Sequence, residues 1–235
     1  QETIMKTFHR ATALVATALL ATSLAACSHS NPSNDKESAS AQATDSASTG
    51  KATQGDQQTT VAAQPAPDGY QTVTAPTTNL SFAVPGDWEV LTGDDLKDDQ
   101  KIEEIANRSG NDPDQIRQLL SGLELQAMAT QPDDNNFAEN ANVAPVQGVT
   151  TLPTEDVMAQ QIKLQGGTPG EYSTSQTSLG EVAILTYTLS TQAGEGQGAV
   201  IAAPTKNGGW AAITVMTMDA SRTQELTETI TSTLS

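Results

Sequence analysis

A single cysteine, Cys27, stands in 235 residues, so no disulfide can form within the chain. Histidine is nearly as scarce: His9 and His29 are the only two, and both fall in the first 30 residues. Everything after position 29 therefore lacks both thiol and imidazole. That excludes a Ser-His-Asp or Cys-His catalytic site from the later chain, because the nucleophile there needs an imidazole beside it. It excludes zinc, haem and blue-copper centres too, since these draw on Cys and His ligands. Aromatic residues make up 3%, which leaves the core to Ala, Val, Ile, Leu and Met. Lys and Arg number 11 against 28 Asp and Glu, a formal net charge of -17. Nucleic-acid backbones are held by a surplus of Lys and Arg, so nucleic acid is excluded as a partner. A polyanionic membrane surface repels such a chain as well. Neither phosphate-loop pattern occurs. The run Gly194-Glu195-Gly196-Gln197-Gly198 places an acid where phosphate would sit and reads as a flexible hairpin loop. No cofactor and no metal is expected.

What is present begins with an export signal. From Met5 the chain reads MKTFHR, with Lys6 and Arg10 as a basic start, followed by sixteen uncharged residues, 11–26, rich in Ala and Leu. A membrane span wants about 20 apolar residues, so this run is short for a span and fits a secretory core ending in small side chains. Residues 1–4 fit no signal pattern, which places the start at Met5. The run closes on Leu24-Ala25-Ala26-Cys27. That resembles the lipobox of bacterial lipoproteins: a branched apolar residue, two small residues, then cysteine. The resemblance implies recognition through Leu24, Ala25 and Ala26, transfer of a diacylglyceryl group (palmitate-type chains) to the Cys27 sulfur, and cleavage before it. Two acyl chains give durable attachment where one gives marginal attachment, at about 0.8 kcal/mol per buried CH₂. The alternative is an ordinary cleaved signal with a chance cysteine.

Residues 28–69 hold one large aliphatic side chain, Val61, and no Phe, Tyr or Trp. Such a stretch cannot bury enough apolar surface to offset its ordering entropy. With Cys27 it is expected to be a disordered tether, 27–69, spanning roughly 35 Å as a flexible coil. His29 falls in it as a solvated side chain.

Composition changes at Tyr70, and 70–235 reads as one domain with 7 basic and 22 acidic residues. At this size a domain buries about 70% of its unfolded surface and folds without a metal or disulfide. Strands are expected at 70–74, 79–84, 88–91, 124–130, 142–148, 171–178, 181–190, 198–205 and 210–218. Helices are expected at 94–107, just after Asp112-Pro113, at 154–165 and at 221–234. Asp112 and Pro113 are a good cap and first-turn pair. Thr154 is placed as a cap, with Val157, Met158 and Ile162 facing inward and Gln161 as a further candidate for that face. Leu226, Ile230 and Leu234 line up on the last helix. Asn207-Gly208-Gly209 is a hairpin signal. In 181–190 and 210–218 both alternating faces are apolar, so both faces of the sheet must be covered. The expected fold class is α+β: an antiparallel sheet with helices on both faces, an α/β/α sandwich.

The remaining chemical candidates are carboxylates and tryptophans. Asp94, Asp95, Asp98 and Asp99, with Lys97 among them and Lys101 just after, suit a solvated first helical turn favoured by the helix dipole. Asp133, Asp134, Asn135 and Asn136 could offer oxygens to calcium, but no EF-hand spacing follows. A glycosidase-type acid pair is defined by space rather than spacing and stays open. Trp88 and Trp210 are the candidates for a ligand surface, against the commoner role of packing near a sheet end.

The phrases Leu80-Ser81-Phe82-Ala83-Val84-Pro85-Gly86-Asp87-Trp88-Glu89-Val90, Phe137-Ala138-Glu139-Asn140-Ala141-Asn142-Val143 and Leu179-Gly180-Glu181-Val182-Ala183 resemble those of LpqN/LpqT-type lipoproteins of high-GC Gram-positive bacteria. That resemblance implies a PsbP-like domain over 70–235. It implies envelope-associated binding or accessory roles, with cell-wall lipids or partner proteins, and no established catalysis. The expectation is a non-enzymatic, lipid-anchored protein on the outer face of the cell membrane that binds an envelope lipid, glycan or protein. The alternatives are a cell-wall hydrolase working with carboxylates alone, and an adaptor subunit of a membrane complex.

Overall fold

Strand-forming runs that are apolar on both faces fill the second half of the chain, and they form the centre of the molecule. The computed structural model describes residues 61–109 and 112–235. The export segment, Cys27 and the tether up to residue 60 lie outside them. The order is β1 (Tyr70–Thr74), β2 (Ser81–Pro85), β3 (Trp88–Thr92), a 3-10 turn (Asp95–Lys97), α1 (Asp99–Ser109), α2 (Pro113–Leu120), β4 (Leu125–Ala129), β5 (Asn140–Val146), α3 (Glu155–Leu164), β6 (Thr168–Thr177), β7 (Gly180–Thr191), β8 (Gly194–Pro204), β9 (Trp210–Thr217) and α4 (Ala220–Thr233). Seven strands make one sheet, ordered β3-β4-β5-β9-β8-β7-β6, with every neighbouring pair antiparallel. β1 and β2 form a separate antiparallel ribbon.

Alternation along the strands divides the sheet into two faces. One presents Leu125, Ala127, Val143, Val182, Ile201, Ile213 and Val215, packed against Leu226 and Ile230 of α4, Leu234 at its C-terminal end, Val73, Phe82 and Val84 of the ribbon, and Leu80 just before β2. This is a single apolar core running across the sheet. Each fully buried large aliphatic or aromatic side chain there stabilises the fold by about 1.5–3 kcal/mol. Hydrogen bonds seat its covers. Ser81 and Ser235 exchange a pair of backbone bonds at 2.8 Å, and Ala83 N–H donates to Thr233 Oγ1 at 2.9 Å.

The opposite face has two covers. α3 lays Met158 and Ile162 over Leu185, Tyr187, Val200, Ala212 and Met216. α1 and α2 enclose a smaller core of Ile102, Ile105, Ile116 and Leu120 that reaches the sheet at Leu91 and Ala144. The α/β/α sandwich expected from the sequence is thus present, with the ribbon sharing one cover.

Several elements differ from expectation, each for a local reason. The first helix divides at Asp98, whose backbone is extended (ψ 115°). Its carboxylate then accepts from Gln100 N–H at 2.8 Å and Lys101 N–H at 3.2 Å, restarting the chain as α1. Val157 faces out, 51% exposed, because α3 sits on the sheet along the Met158–Ile162 line one position away. Thr154 occupies the cap position of α3, but its hydroxyl makes no capping bond. The capping box of α2 forms on Asp112 and Gln115.

The glycine run 194–198 is the start of β8 rather than a loop. A Cβ on Gly198 would lie 2.3 Å from Tyr187 Cζ, and one on Gly196 would lie 2.9 Å from Met216 Sδ. Those glycines let a ring and a thioether lie across the strand. The described residues before Tyr70 also bond to the domain. Gln64 N–H donates to Ser232 C=O at 2.9 Å, and Gly86 N–H donates to Gly69 C=O at 2.7 Å. Residues 61–69 therefore belong to the folded unit.

Candidate functional site

α4 carries two stripes toward the sheet. Leu226, Ile230 and Leu234 enter the apolar core, while Thr223, Thr227 and Thr231, spaced by four, are buried beside them. Their hydroxyls are turned back onto carbonyls. Thr227 Oγ1 donates to Thr223 C=O and Thr231 Oγ1 to Thr227 C=O, both at 2.7 Å, and Thr223 Oγ1 donates to Gln197 C=O at 3.0 Å. This stripe stands off from β6 and β7 and leaves a groove.

The groove has two adjoining parts that share Ile184, Thr227 and Glu228, with volumes of about 520 Å³ and 280 Å³. The larger runs past Thr168, Glu171, Ser173 and Thr186; the smaller ends at Ser175, Ser178, Val61 and Gln64. β6 is an edge strand, irregular between Pro169 and Tyr172. At that irregularity Glu171 N–H donates to Thr186 Oγ1 at 2.8 Å. Glu171 and Glu228 are the charged residues of the lining, so the groove offers carboxylates and hydroxyls and no cation.

A second polar group lies within the sheet, on the face of α1, α2 and α3. Gln126, Asn142 and Thr214 are paired in register across β4, β5 and β9, and Asn140 lies two residues along β5. All four are at most 1% exposed. Gln126 Nε2 donates to Ala127 C=O at 3.4 Å, and Asn140 Nδ2 to Ala138 C=O at 3.1 Å. Gln126 Oε1, Asn140 Oδ1, both polar atoms of the Asn142 amide and Thr214 Oγ1 are buried without a hydrogen-bond partner. Each such atom costs about 1–3 kcal/mol if left so.

The residues singled out from the sequence are scattered. Trp88 is buried on the α4 face and Trp210 is half-buried on the α3 face, so the sheet separates them. The acidic cluster is divided among local tasks. Asp95 pairs with Lys101, whose hydrogen bond holds the carboxyl below its ordinary range. Asp99 binds Arg117 at 2.8 Å. Asp133 Oδ1 accepts from Asn135 N–H at 2.9 Å and Phe137 N–H at 2.8 Å, folding its own loop. No three Asp, Glu, His or Cys among the described residues are placed to hold a metal ion. Cys27, Leu24, Ala25 and Ala26 lie outside the described residues. Among those residues, no helix is long and apolar enough to cross a membrane.

Two carboxylates not singled out from the sequence act as clamps. Buried Glu124 accepts from Thr77 N–H at 2.7 Å, from Thr78 N–H at 3.1 Å and from the Thr78 hydroxyl. Glu225 accepts from Tyr70 Oη at 3.0 Å and binds Arg222 at 2.9 Å, while Arg222 also reaches Glu139 at 3.2 Å. The Arg222 hydrogen bond, then that of Tyr70, holds Glu225 below the usual carboxylate range. Burial works against the charge on Arg222, but the hydrogen bonds of Glu225 and Glu139 outweigh it and raise the guanidinium above its ordinary value. This network joins the ribbon, α4 and the approach to β5.

No protein-family model matches the chain. No curated protein matches it either. Among solved structures, the solution structure of cyanobacterial PsbP (CyanoP) from Synechocystis sp. PCC 6803 is similar at 12% identity and a TM-score of 0.42. The match covers 71% of this chain and 92% of that one. A likeness at that level carries no residue roles, and the functional reading rests on this chain's own side chains.

Proposed function

We propose that this is a lipid-anchored, non-enzymatic binding or accessory protein of the cell envelope. It is held to the outer face of the membrane through Cys27 and takes its ligand or partner in the groove beside α4. The observation that carries the binding half is the lining of that groove: threonine and serine hydroxyls, Ile184, and the carboxylates of Glu171 and Glu228. No imidazole or thiol exists beyond residue 29 to activate a nucleophile there. Hydroxyls and amides can recognise a neutral or cationic polar ligand, a glycan, a headgroup or a peptide, without turning it over. Residues 61–64 border the groove, so the chain leading from Cys27 enters the fold at this site. The lipobox-like run at 24–27 supports the anchor.

The anchor is tested by metabolic labelling with a fatty acid in cells. The wild-type protein takes up label and stays with the membrane. Cys27→Ser loses the label and is released to the medium or remains an unprocessed precursor. Undiminished labelling of Cys27→Ser would refute the anchor.

A further inference from the structure

β6 is the outer strand of the seven-stranded sheet, and it borders the α4 groove. The register says which main-chain groups its free edge offers. Thr205 N–H donates to Gly209 C=O, which sets the β8–β9 ladder on odd-numbered residues. Alternation across β8 and β7 then bonds Ser173, Ser175 and Thr177 to β7. Tyr172, Thr174 and Gln176 turn their main-chain N–H and C=O groups outward, and nothing among the described residues bonds to them. The opposite edge is treated differently. β3 is five residues long, Gln71 Nε2 donates to Trp88 C=O at 2.8 Å, and Thr92 N–H donates to an Asp95 carboxylate oxygen at 3.4 Å. A short edge met by side chains resists further pairing. β6 runs for 10 residues, and its own obstacles, Pro169 and the irregularity after it, end at Tyr172.

We propose that the β6 edge takes an extended cationic peptide segment of a partner protein as an added strand, with alternate side chains in the α4 groove. This rests on that groove being the binding site. Ser173 and Ser175 share the α4 face with their cross-strand partners Ile184 and Val182, so the same face of an added strand looks into the groove. The groove carries Glu171 and Glu228 and no Lys or Arg, and Glu228 meets the neutral amide of Gln224 at 2.8 Å. Lys or Arg at every second position of the peptide supplies the missing charge, while its main chain supplies the missing ladder. The intervening residues pass Tyr172, Thr174 and Gln176 on the other face and can be neutral. A second copy of this chain is the wrong occupant, because each copy carries a net charge of -17. A neutral glycan leaves the carboxylates without a countercharge.

The test titrates the full chain, in a nonionic detergent at low salt, with a blocked octapeptide of alternating Lys and Thr. Amide hydrogen exchange at Tyr172, Thr174 and Gln176 is expected to slow at least tenfold, with no change at Ser173 and Ser175, which already bond to β7. Glu171→Gln and Glu228→Gln, both at exposed positions, should each weaken binding several-fold. Thr174→Pro removes the central outward N–H without touching the β7 ladder and should weaken binding at least tenfold. Where Thr174→Pro fails to fold, a peptide N-methylated throughout makes the same test on the native protein: it keeps the charge, loses the donors, and should bind at least tenfold more weakly. Binding that shifts the Gln197 and Gln224 signals but leaves exchange at the three amides unchanged would overturn strand addition and leave the groove reading standing. Edge protection undiminished in both glutamine variants would overturn the groove reading and the proposal together. No binding of the octapeptide, or equal binding of the N-methylated peptide, would overturn the proposal. So would protection of the three amides in the peptide-free protein, as a second copy or residues 1–60 paired at this edge would produce.

Discussion

The two faces of the sheet are built on opposite principles. Under α4 and the ribbon a single apolar core runs across the strands from Val182 to Leu125, and the hydroxyls of the threonines buried beside it, Thr217, Thr223, Thr227 and Thr231, all have partners. Under α1, α2 and α3 the same strands carry two separate cores, parted by four buried polar side chains with open hydrogen-bonding atoms. The strands are shared, so the backbone cannot explain the difference. The side chains give one face a continuous apolar core and divide the other at a band of amides and a hydroxyl.

That contrast can be broken by substitution. The largest effect is expected at Phe82, fully buried between the ribbon and the sheet. Phe82→Ala should lower unfolding free energy by about 3–5 kcal/mol, read from the denaturant midpoint; a loss near zero would mean the face is not one continuous core. On the other face, Gly198→Ala should cost about 1–3 kcal/mol, because its new Cβ meets the Tyr187 ring. Much of that cost should vanish in a Tyr187→Leu background, as a double-mutant cycle would show. Asn142→Leu should behave in the reverse sense from Phe82→Ala. In the unliganded protein it removes two unmet polar atoms and should gain about 1 kcal/mol; a clear loss would show that Asn142 is already satisfied within the protein.

The smallest effect concerns pH. Glu225 is held below the usual carboxylate range by Arg222 and then Tyr70, so its contribution is full above that range and disappears as pH falls through the lowered folded value. Glu225 is exposed enough that the effect is only a few tenths of a kcal/mol. Glu225→Gln should lower stability by that amount at neutral pH and above, and the difference from wild type should disappear as pH falls, so that the acid limb is flatter; an equal difference at pH 3 and pH 7 would contradict this.

The central strands were legible from the sequence because apolar residues on both alternating faces have one physical meaning, and 181–190 and 210–218 show it without ambiguity. Leu226, Ile230 and Leu234 were legible for the same reason at helical spacing. The glycines at 196 and 198 were not, since the reason for them is Tyr187 and Met216 on neighbouring strands, and local composition reads them as a loop. The polar seam left a local trace, single polar residues inside apolar strands at 126, 140, 142 and 214. Only the register of β4, β5 and β9 reveals that they form one group. Trp88 and Trp210 were candidates for a ligand surface against the commoner role of packing near a sheet end; they pack on opposite faces of the sheet, and that separation was invisible in the sequence. Val157 misled because α3 has two apolar lines one residue apart, and the sheet chose the line of Met158.

The proposed anchor is tested most directly by the intact mass of the mature protein extracted from membranes, with fragmentation of its N-terminus. The expected chain has Cys27 as its first residue, bearing a diacylglyceryl group. A mature chain that begins elsewhere, or one that begins at Cys27 with a free thiol, would contradict it.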